Sequence, residues 1–377
     1  MLARNVKKER KYDILYIING KMRKKYTAPF YVDISITDSC NLKCVYCYAE
    51  ATARNKNHID VGLFAKIAKE IEEKGVHYMR IAGGEPFMHP NINEILDICG
   101  KIKMLKSIST NATLLDQRKV EKIIENEINW VVVSLDGVKK EINDFTRGKF
   151  DETIKGIKLL VNNKVITKIA CVVSSSNYNQ IEEIVDFAEN LGLYSVGFIL
   201  QSDVGRAHQQ TNIALNPEQM NDFMNKVTEL KIRSTKVKVH VIFPYESCMP
   251  WELSTFLDKD KLNEGWNEYV DIEKNDDISC MAGITTCAVS SKGELFGCEQ
   301  MLGFPELSAG NLGVNSFESL WDDFGELELL RNADKSMLPT KCQNCLSYCG
   351  GGCRAQAYSY SKKLFGEDIR CQVLRKE

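Results

Sequence analysis

Cys40, Cys44 and Cys47 stand in the run Thr37-Asp38-Ser39-Cys40-Asn41-Leu42-Lys43-Cys44-Val45-Tyr46-Cys47-Tyr48, three thiols separated by three and then two residues. That spacing lets three sulfurs wrap one corner of a metal cluster from a single loop. A [4Fe–4S] cube is normally held by four cysteine thiolates, so a set of three leaves one iron open to another ligand. Zinc is the competing use of such a loop. It closes a structural site with four protein ligands, however, and the nearest histidine, His58, sits in a polar, loop-like stretch. Gly83-Gly84-Glu85-Pro86 follows an apolar run that ends at Ile81-Ala82. Two glycines there remove side chains where a ligand must approach the backbone, Glu85 adds a carboxylate, and Pro86 stiffens the exit. Taken alone, the same run is also an ordinary turn.

A second group of thiols lies late in the chain: Cys280, Cys287, Cys298, Cys342, Cys345, Cys349, Cys353 and Cys371. Eight thiolates suffice for two complete four-ligand sets, and a ferredoxin-like or zinc-ribbon module is the alternative for this stretch by itself. Of the other cysteines, Cys99 and Cys171 fall in apolar contexts and are expected as buried hydrophobes. Cys248, in Glu246-Ser247-Cys248-Met249-Pro250, leaves a substrate or cluster role open.

The elements that must position these groups follow from the apolar pattern. β-Branched runs at Tyr31–Ile36, His77–Ala82, Ser107–Thr110, Trp130–Leu135, Thr167–Val173, Tyr194–Leu200 and Val237–Phe243 alternate with amphipathic stretches. Those stretches are Val61–Lys74, Ile92–Lys103, Asp116–Glu125, Glu152–Val161, Ile181–Leu191 and Pro217–Lys231. Strand-helix alternation specifies an α/β fold with a parallel sheet and right-handed crossovers, and six such units suggest a closed or nearly closed barrel. Thr37 to Cys40, Gly83 to Glu85, Asn111, Ser134 with Asp136, Ser174 to Ser176 and Gln201 all come just after strands. That end of a parallel barrel is where active sites are built. The chain divides into a basic N-terminal extension (1–29), a core barrel (30–243), a bridging region (244–279) and a cysteine-rich unit (280–377).

With 377 residues, 44% hydrophobic and 27% charged, the composition is that of a globular protein, and the net charge of −2 gives no steering toward nucleic acid. The charge is uneven. Residues 1–26 hold nine Lys and Arg against Glu9 and Asp13, an arm that could hold an acidic partner or simply be solvated. No apolar run reaches the length of a membrane span and no signal peptide follows Met1, so a cytoplasmic location is expected. In a reducing cytosol fourteen cysteines read as metal ligands rather than a disulfide framework.

Cys40-x3-Cys44-x2-Cys47 with Gly83-Gly84-Glu85-Pro86 resembles the radical SAM superfamily over about residues 30–243. The resemblance implies a partial (β/α)6 barrel that binds S-adenosylmethionine through the open iron and cleaves it to a 5′-deoxyadenosyl radical. It also implies that Tyr46 lies beside the adenine and that Gly83, Gly84, Glu85 and Pro86 meet the methionine amino group. Ser134 and Asp136 match the family's serine and acidic positions, where carboxylate and ribose contacts are expected, and Asn111 matches the polar residue after the third strand. Strand-end caps and turn formers are the plain use of the last three. Cys280-x12-Gly293-x4-Cys298 and Cys349-Gly350-Gly351-Gly352-Cys353-Arg354 resemble the SPASM domain of many such enzymes. By that resemblance Cys280, Cys287, Cys298 and Cys353 hold one auxiliary [4Fe–4S] cluster, and Cys342, Cys345, Cys349 and Cys371 a second, three clusters in all. Three residues separate Cys345 from Cys349 where the family commonly has five. If Cys287 does not ligate, the first auxiliary cluster keeps an open iron. Glu299, directly after Cys298, is the candidate catalytic base, by likeness to sulfatase-maturing enzymes, with an exposed glutamate as the plain alternative.

Auxiliary clusters offer a route for an electron to leave a substrate radical, so the expected net reaction is an oxidation. Relatives with this domain imply a peptide or protein substrate, crosslinked or oxidised at an unreactive carbon, and an electron donor such as flavodoxin or ferredoxin. The roughly 28 residues before the first strand are too few for a separate leader-binding domain, so any leader, acidic ones included, would be held by the barrel, the basic arm or another protein. The alternatives are a formylglycine-generating sulfatase maturase, a tetrapyrrole side-chain decarboxylase and, outside enzymes, an iron–sulfur electron carrier or redox sensor.

Overall fold

The computed structural model describes residues 26–209, 213–233, 236–242, 278, 280–325, 328–345, 350–369 and 371. Most of the basic extension, the bridging region with Cys248, and Cys349 lie outside the described residues.

Seven parallel strands follow one another: β1 (Tyr31–Ser35), β2 (Tyr78–Ala82), β3 (Leu105–Thr110), β4 (Trp130–Ser134), β5 (Thr167–Val173), β6 (Ser195–Leu200) and β7 (Lys238–Ile242). Helices α1 (Val61–Lys74), α2 (Ile92–Cys99), α3 (Gln117–Glu125), α4 (Lys140–Thr146), α5 (Phe150–Asn162), α6 (Ile181–Asn190) and α7 (Pro217–Ile232) connect them. Local chemistry sets the helix starts. Asp60 accepts from the Leu63 amide at 2.9 Å to cap α1, and Asn216 and Gln219 form a reciprocal capping box on α7. Helix α2 stops at Cys99, before Gly100, four residues short of the expected end.

Strand alternation sorts the two faces of the sheet. Val32, Ile34, Met79, Ile81, Ile108, Val131, Val133, Ile169, Val196 and Phe198 are buried in the core, as are Cys99 and Cys171. On the other face, near the strand starts, Tyr31 stacks on Tyr78 at 5.1 Å and Tyr78 packs on Trp130 at 5.1 Å. Lys168 lies 4.1 Å from the Trp130 ring centroid and 5.1 Å from that of Tyr194, and Lys238 continues the row 4.7 Å from Tyr194. This belt of rings and cations fills the N-terminal end of the wall and leaves the C-terminal end to polar groups.

The strand order agrees with the partial barrel expected from sequence. The outer edge of β1 is occupied by β8 (Thr286–Val289), which pairs parallel to it with Val32 opposite Cys287. β9 (Glu294–Phe296) and β10 (Gly310–Asn311) extend the same sheet antiparallel, to ten strands. Helix α8 (Phe317–Asp322) then packs on α1, where Lys74 pairs with Glu318 at 2.9 Å and Asp322 at 3.1 Å. Among the described residues no helix is long and apolar enough to cross a membrane.

Candidate active site

The cysteine loop leaves the C-terminal end of β1 and is stitched to the ends of the neighbouring strands. Thr37 Oγ1 lies 2.8 Å from His58 Nδ1, and the Cys40 amide donates to Thr52 O at 3.2 Å. The Gly84 and Glu85 amides donate to Thr37 O and Ser39 O at 2.7 and 2.8 Å. A Cβ on Gly83 or Gly84 would fall on the backbone of Thr37 or Ser39, well inside contact distance. The glycine pair therefore serves the approach of the chain's own cysteine loop. From the far side, the Arg206 amide donates to Cys47 O at 3.1 Å and its guanidinium to Cys44 O and Ala51 O, both at 3.0 Å. The Val204–Ala207 turn after β6 thus clamps the loop.

Burial pushes the Cys40 thiol up to about 12, with Glu85, Cys44 and Cys47 adding to it, and burial likewise raises Cys44, which Cys47 reinforces. The three sulfurs therefore act on one another across a short distance. In the bare chain burial favours the thiol over the thiolate at Cys40 and Cys44, so cluster assembly must displace protons there. Among the described residues no three Cys, His, Asp or Glu side chains close on a single ion. A cube, which spreads its thiolates over several irons, suits a soft all-sulfur set on one loop.

Glu85, fully buried, spends its carboxylate inside the chain. Oε1 accepts from Thr110 Oγ1 at 2.7 Å and Oε2 from the Asn111 amide at 2.8 Å, while burial lifts its pKa to about 7. Asn111 Nδ2 donates to Asn41 Oδ1 at 2.9 Å, and Asn41 Nδ2 donates to Thr113 Oγ1 at 2.7 Å, tying the loop to β3. Asp136 is also fully buried. Oδ2 accepts from Tyr46 Oη and, at 2.7 Å, from Thr146 Oγ1, while Oδ1 accepts from the Val172 amide at 3.0 Å and pairs with Arg147 Nε at 2.9 Å. A ribose contact from Asp136 would have to share oxygens that the chain already uses. Ser134, half-buried at the end of β4, and Pro86, in the turn after Glu85, stand on the same rim.

The second cysteine group is partly drawn together. Cys298 is raised by burial and by Glu299, Cys280 and Cys353, so three of its thiols lie within electrostatic reach of one another. Cys287 is fully buried in β8, and the charged groups that act on it are Arg331 and Asp33. Cys342 and Cys345 share a turn in which the Cys345 amide donates to Cys342 O at 3.3 Å, and the Cys371 amide donates to Asp368 O at 2.9 Å.

Between the two cysteine groups lies a polar cluster with no strong signal in the sequence. Asp33 of β1 pairs with Arg80 of β2, directly across the register, and Arg80 Nη2 is 3.8 Å from Glu299 Oε1. Tyr31 Oη donates to Asp33 Oδ2 at 3.0 Å, and Tyr48 feels Asp33, Arg80, Glu299 and Cys47. Asp33 Oδ1 and Arg80 Nε have no hydrogen-bond partner. Burial raises the Glu299 carboxyl and Arg80 opposes it, while side-chain exposures of 28% for Glu299 and 27% for Arg80 leave the cluster open to a substrate. Arg147, Asp33 and Arg80 escaped the motif-based reading because single charged residues in strands and helix ends look like ordinary surface until the fold turns them inward.

Residues 34–188 match the model of the Radical SAM superfamily. The antilisterial bacteriocin subtilosin biosynthesis protein AlbA of Bacillus subtilis (strain 168) is 27% identical over 87% of this chain and 68% of its own length. The AdoMet-dependent heme synthase of Methanosarcina barkeri is 26% identical over 91% of this chain and 96% of its own. The fold is shared with Streptococcus suis SuiB in its crystal structure bound to the precursor peptide SuiA, with a TM-score of 0.75 at 21% identity, covering 97% of this chain and 80% of that one. The matched segment runs from the end of β1 through β5 and includes the cysteine loop and the glycine run, so residues 34–188 form a radical SAM domain.

Proposed function

We propose that this enzyme oxidatively modifies a peptide or protein at an unreactive carbon, seating it between the Cys40–Cys47 loop and the Cys280, Cys298 and Cys353 thiols. The observation that carries the reading is the Asp33–Arg80–Glu299 cluster, which touches both cysteine groups through Tyr48 and Cys298. When bound, a [4Fe–4S] cluster and S-adenosylmethionine supply a 5′-deoxyadenosyl radical. The chain's residues do the rest: Cys40, Cys44 and Cys47 hold the cluster, Tyr46, Ser134 and Asn111 with the Gly83–Pro86 backbone surround the S-adenosylmethionine, and Asp136 orders Tyr46. Glu299 takes a proton from the substrate at its carboxylate, whose basicity is raised by desolvation against the opposing charge of Arg80. Cys280, Cys287, Cys298 and Cys353 would hold one auxiliary cluster and Cys342, Cys345, Cys349 and Cys371 a second, which would supply a route for the substrate's electron, with a flavodoxin or ferredoxin as the electron donor.

AlbA, named for subtilosin biosynthesis, and SuiB, solved with its precursor peptide, support a peptide substrate. Likeness to the AdoMet-dependent heme synthase over most of both chains favours, as a second reading, a tetrapyrrole side chain. Anaerobic incubation of the cluster-loaded enzyme with S-adenosylmethionine and dithionite should release 5′-deoxyadenosine, and Cys40→Ala should abolish it. Adding the product of a short reading frame beside the gene should then yield a peptide lighter by two hydrogens. No 5′-deoxyadenosine from a loaded enzyme would sink the reading, and turnover of a tetrapyrrole in place of the peptide would replace the substrate.

A further inference from the structure

Arg147, at the C-terminal end of α4, is a buried cation aimed at the cysteine loop. Its side chain is 10% exposed, its guanidinium lies 5.3 Å from the Tyr46 ring centroid, and Nη1 reaches Cys44 Sγ at 4.0 Å. Its Nε end is fixed 2.9 Å from Asp136 Oδ1, and the second Asp136 oxygen is held by Tyr46 and Thr146. Two further donors face the loop sulfurs: the Leu42 amide at 3.4 Å and Asn111 Nδ2 at 4.0 Å, both from Cys40 Sγ. Those two are neutral, whereas Arg147 brings a full charge.

We propose that Arg147, locked in place by Asp136, is the positioning residue that sets the reduction potential of the cluster held by Cys40, Cys44 and Cys47. Accepting one electron from an external reductant adds one negative charge to the cluster. A fixed cation at a ligand sulfur, shielded from water, stabilises that reduced state more than the oxidised one. Asp136 grips the end of the guanidinium remote from Cys44, so the ion pair is a dipole with its positive end toward the sulfur. Removing the arginine leaves the Asp136 carboxylate uncompensated near the cluster and makes reduction harder for a second reason. The inference rests on the reading that these three cysteines hold the cube.

The test is an anaerobic dithionite titration, without S-adenosylmethionine, of cluster-reconstituted wild type, Arg147→Gln, Arg147→Lys and Asp136→Asn, followed by electron paramagnetic resonance. The relevant signal is the one missing from Cys40→Ala. At equal solution potential Arg147→Gln should show a reduced-to-oxidised ratio about tenfold lower, equivalent to about 59 mV for a one-electron couple. Arg147→Lys should restore most of it, Asp136→Asn should move the ratio the other way, and signals that persist in Cys40→Ala should not shift. Should Arg147→Gln fail to load iron, Asp136→Asn still decides. An unchanged ratio in Arg147→Gln or, where that variant does not load, in Asp136→Asn, or equal shifts in every signal, overturns the proposal. If Cys40→Ala instead removes no signal and no iron, the assignment of the cluster to this loop is what has failed.

Discussion

Glu299 is one carboxylate among several near the two cysteine groups, and its surroundings separate its role from the others. Glu85 and Asp136 have both oxygens engaged by donors of the chain itself, so they hold shape. Glu299 has the more distant Arg80 guanidinium at 3.8 Å and stays partly exposed. A carboxyl raised by desolvation and still open to a substrate is the one equipped to receive a proton. Glu299→Gln keeps the shape and removes the base. It should leave 5′-deoxyadenosine release within about threefold while product formation falls by ~10²- to 10⁴-fold, the usual range for a lost general base. Chromatography of both products from one reaction checks this. Equal loss of both would assign Glu299 to S-adenosylmethionine binding instead.

At the scale of elements, much of the core was legible because strands and helices announce their periods: Val61–Lys74 and Thr167–Val173 fall where the apolar pattern puts them. The cysteine triplet stood out in the sequence because three thiols fall within eight residues. The clamp on that loop did not, since its parts are 160 residues apart in sequence and consist mostly of backbone contacts. Gly205 shows the point. Its φ of +65° and the closeness of Cys47 O, 2.7 Å from where a Cβ would sit, leave no room for a side chain. Gly205→Ala should displace the loop and lower iron content by one cube, about four irons per chain; full iron loading would refute the clamp. His89 locks the glycine run from behind. Its Nε2 is 2.9 Å from Ile59 O, and its Nδ1 accepts from the Asn91 amide at 3.1 Å, so the neutral ring satisfies both. Burial, with His58 beside it, holds the pKa below the ordinary 6.5. The unfolded chain then binds more protons than the folded one below about pH 6.5, so this residue's contribution is lost as pH falls from there through the folded value. His89→Gln should cost about 1–3 kcal/mol at pH 7.5 and less at pH 5.5, read from urea midpoints. An equal deficit at both values would show that the ring does not titrate as its partners dictate.

At the scale of the whole molecule, the late cysteine-rich stretch is built into the sheet that carries the early one. β8 supplies the outer neighbour of β1, the strand that leads into the cysteine loop, and Ser291, just past β8, donates to Asp38 at 2.8 Å in the loop itself. Lys66 donates to Leu312 O and Asn315 O at 2.6 and 2.9 Å, the Phe317 amide donates to Glu70 at 2.7 Å, and the fully buried Phe317 and Trp321 are part of the common core. A fragment ending at residue 243 would lose all of this. It would expose the β1 edge, an open template for pairing with other chains, and uncover the apolar side of α1. Burial of two large aromatic side chains alone is worth several kcal/mol, a large share of the net stability of a domain. The fragment 1–243 should therefore emerge as soluble aggregates or inclusion bodies, while the full chain purifies as a defined species. Size-exclusion chromatography with iron analysis decides the matter. A monodisperse fragment carrying about four irons would mean that the barrel stands alone; its failure would mean that the two cysteine groups share one folding unit, which fixes the spacing between them.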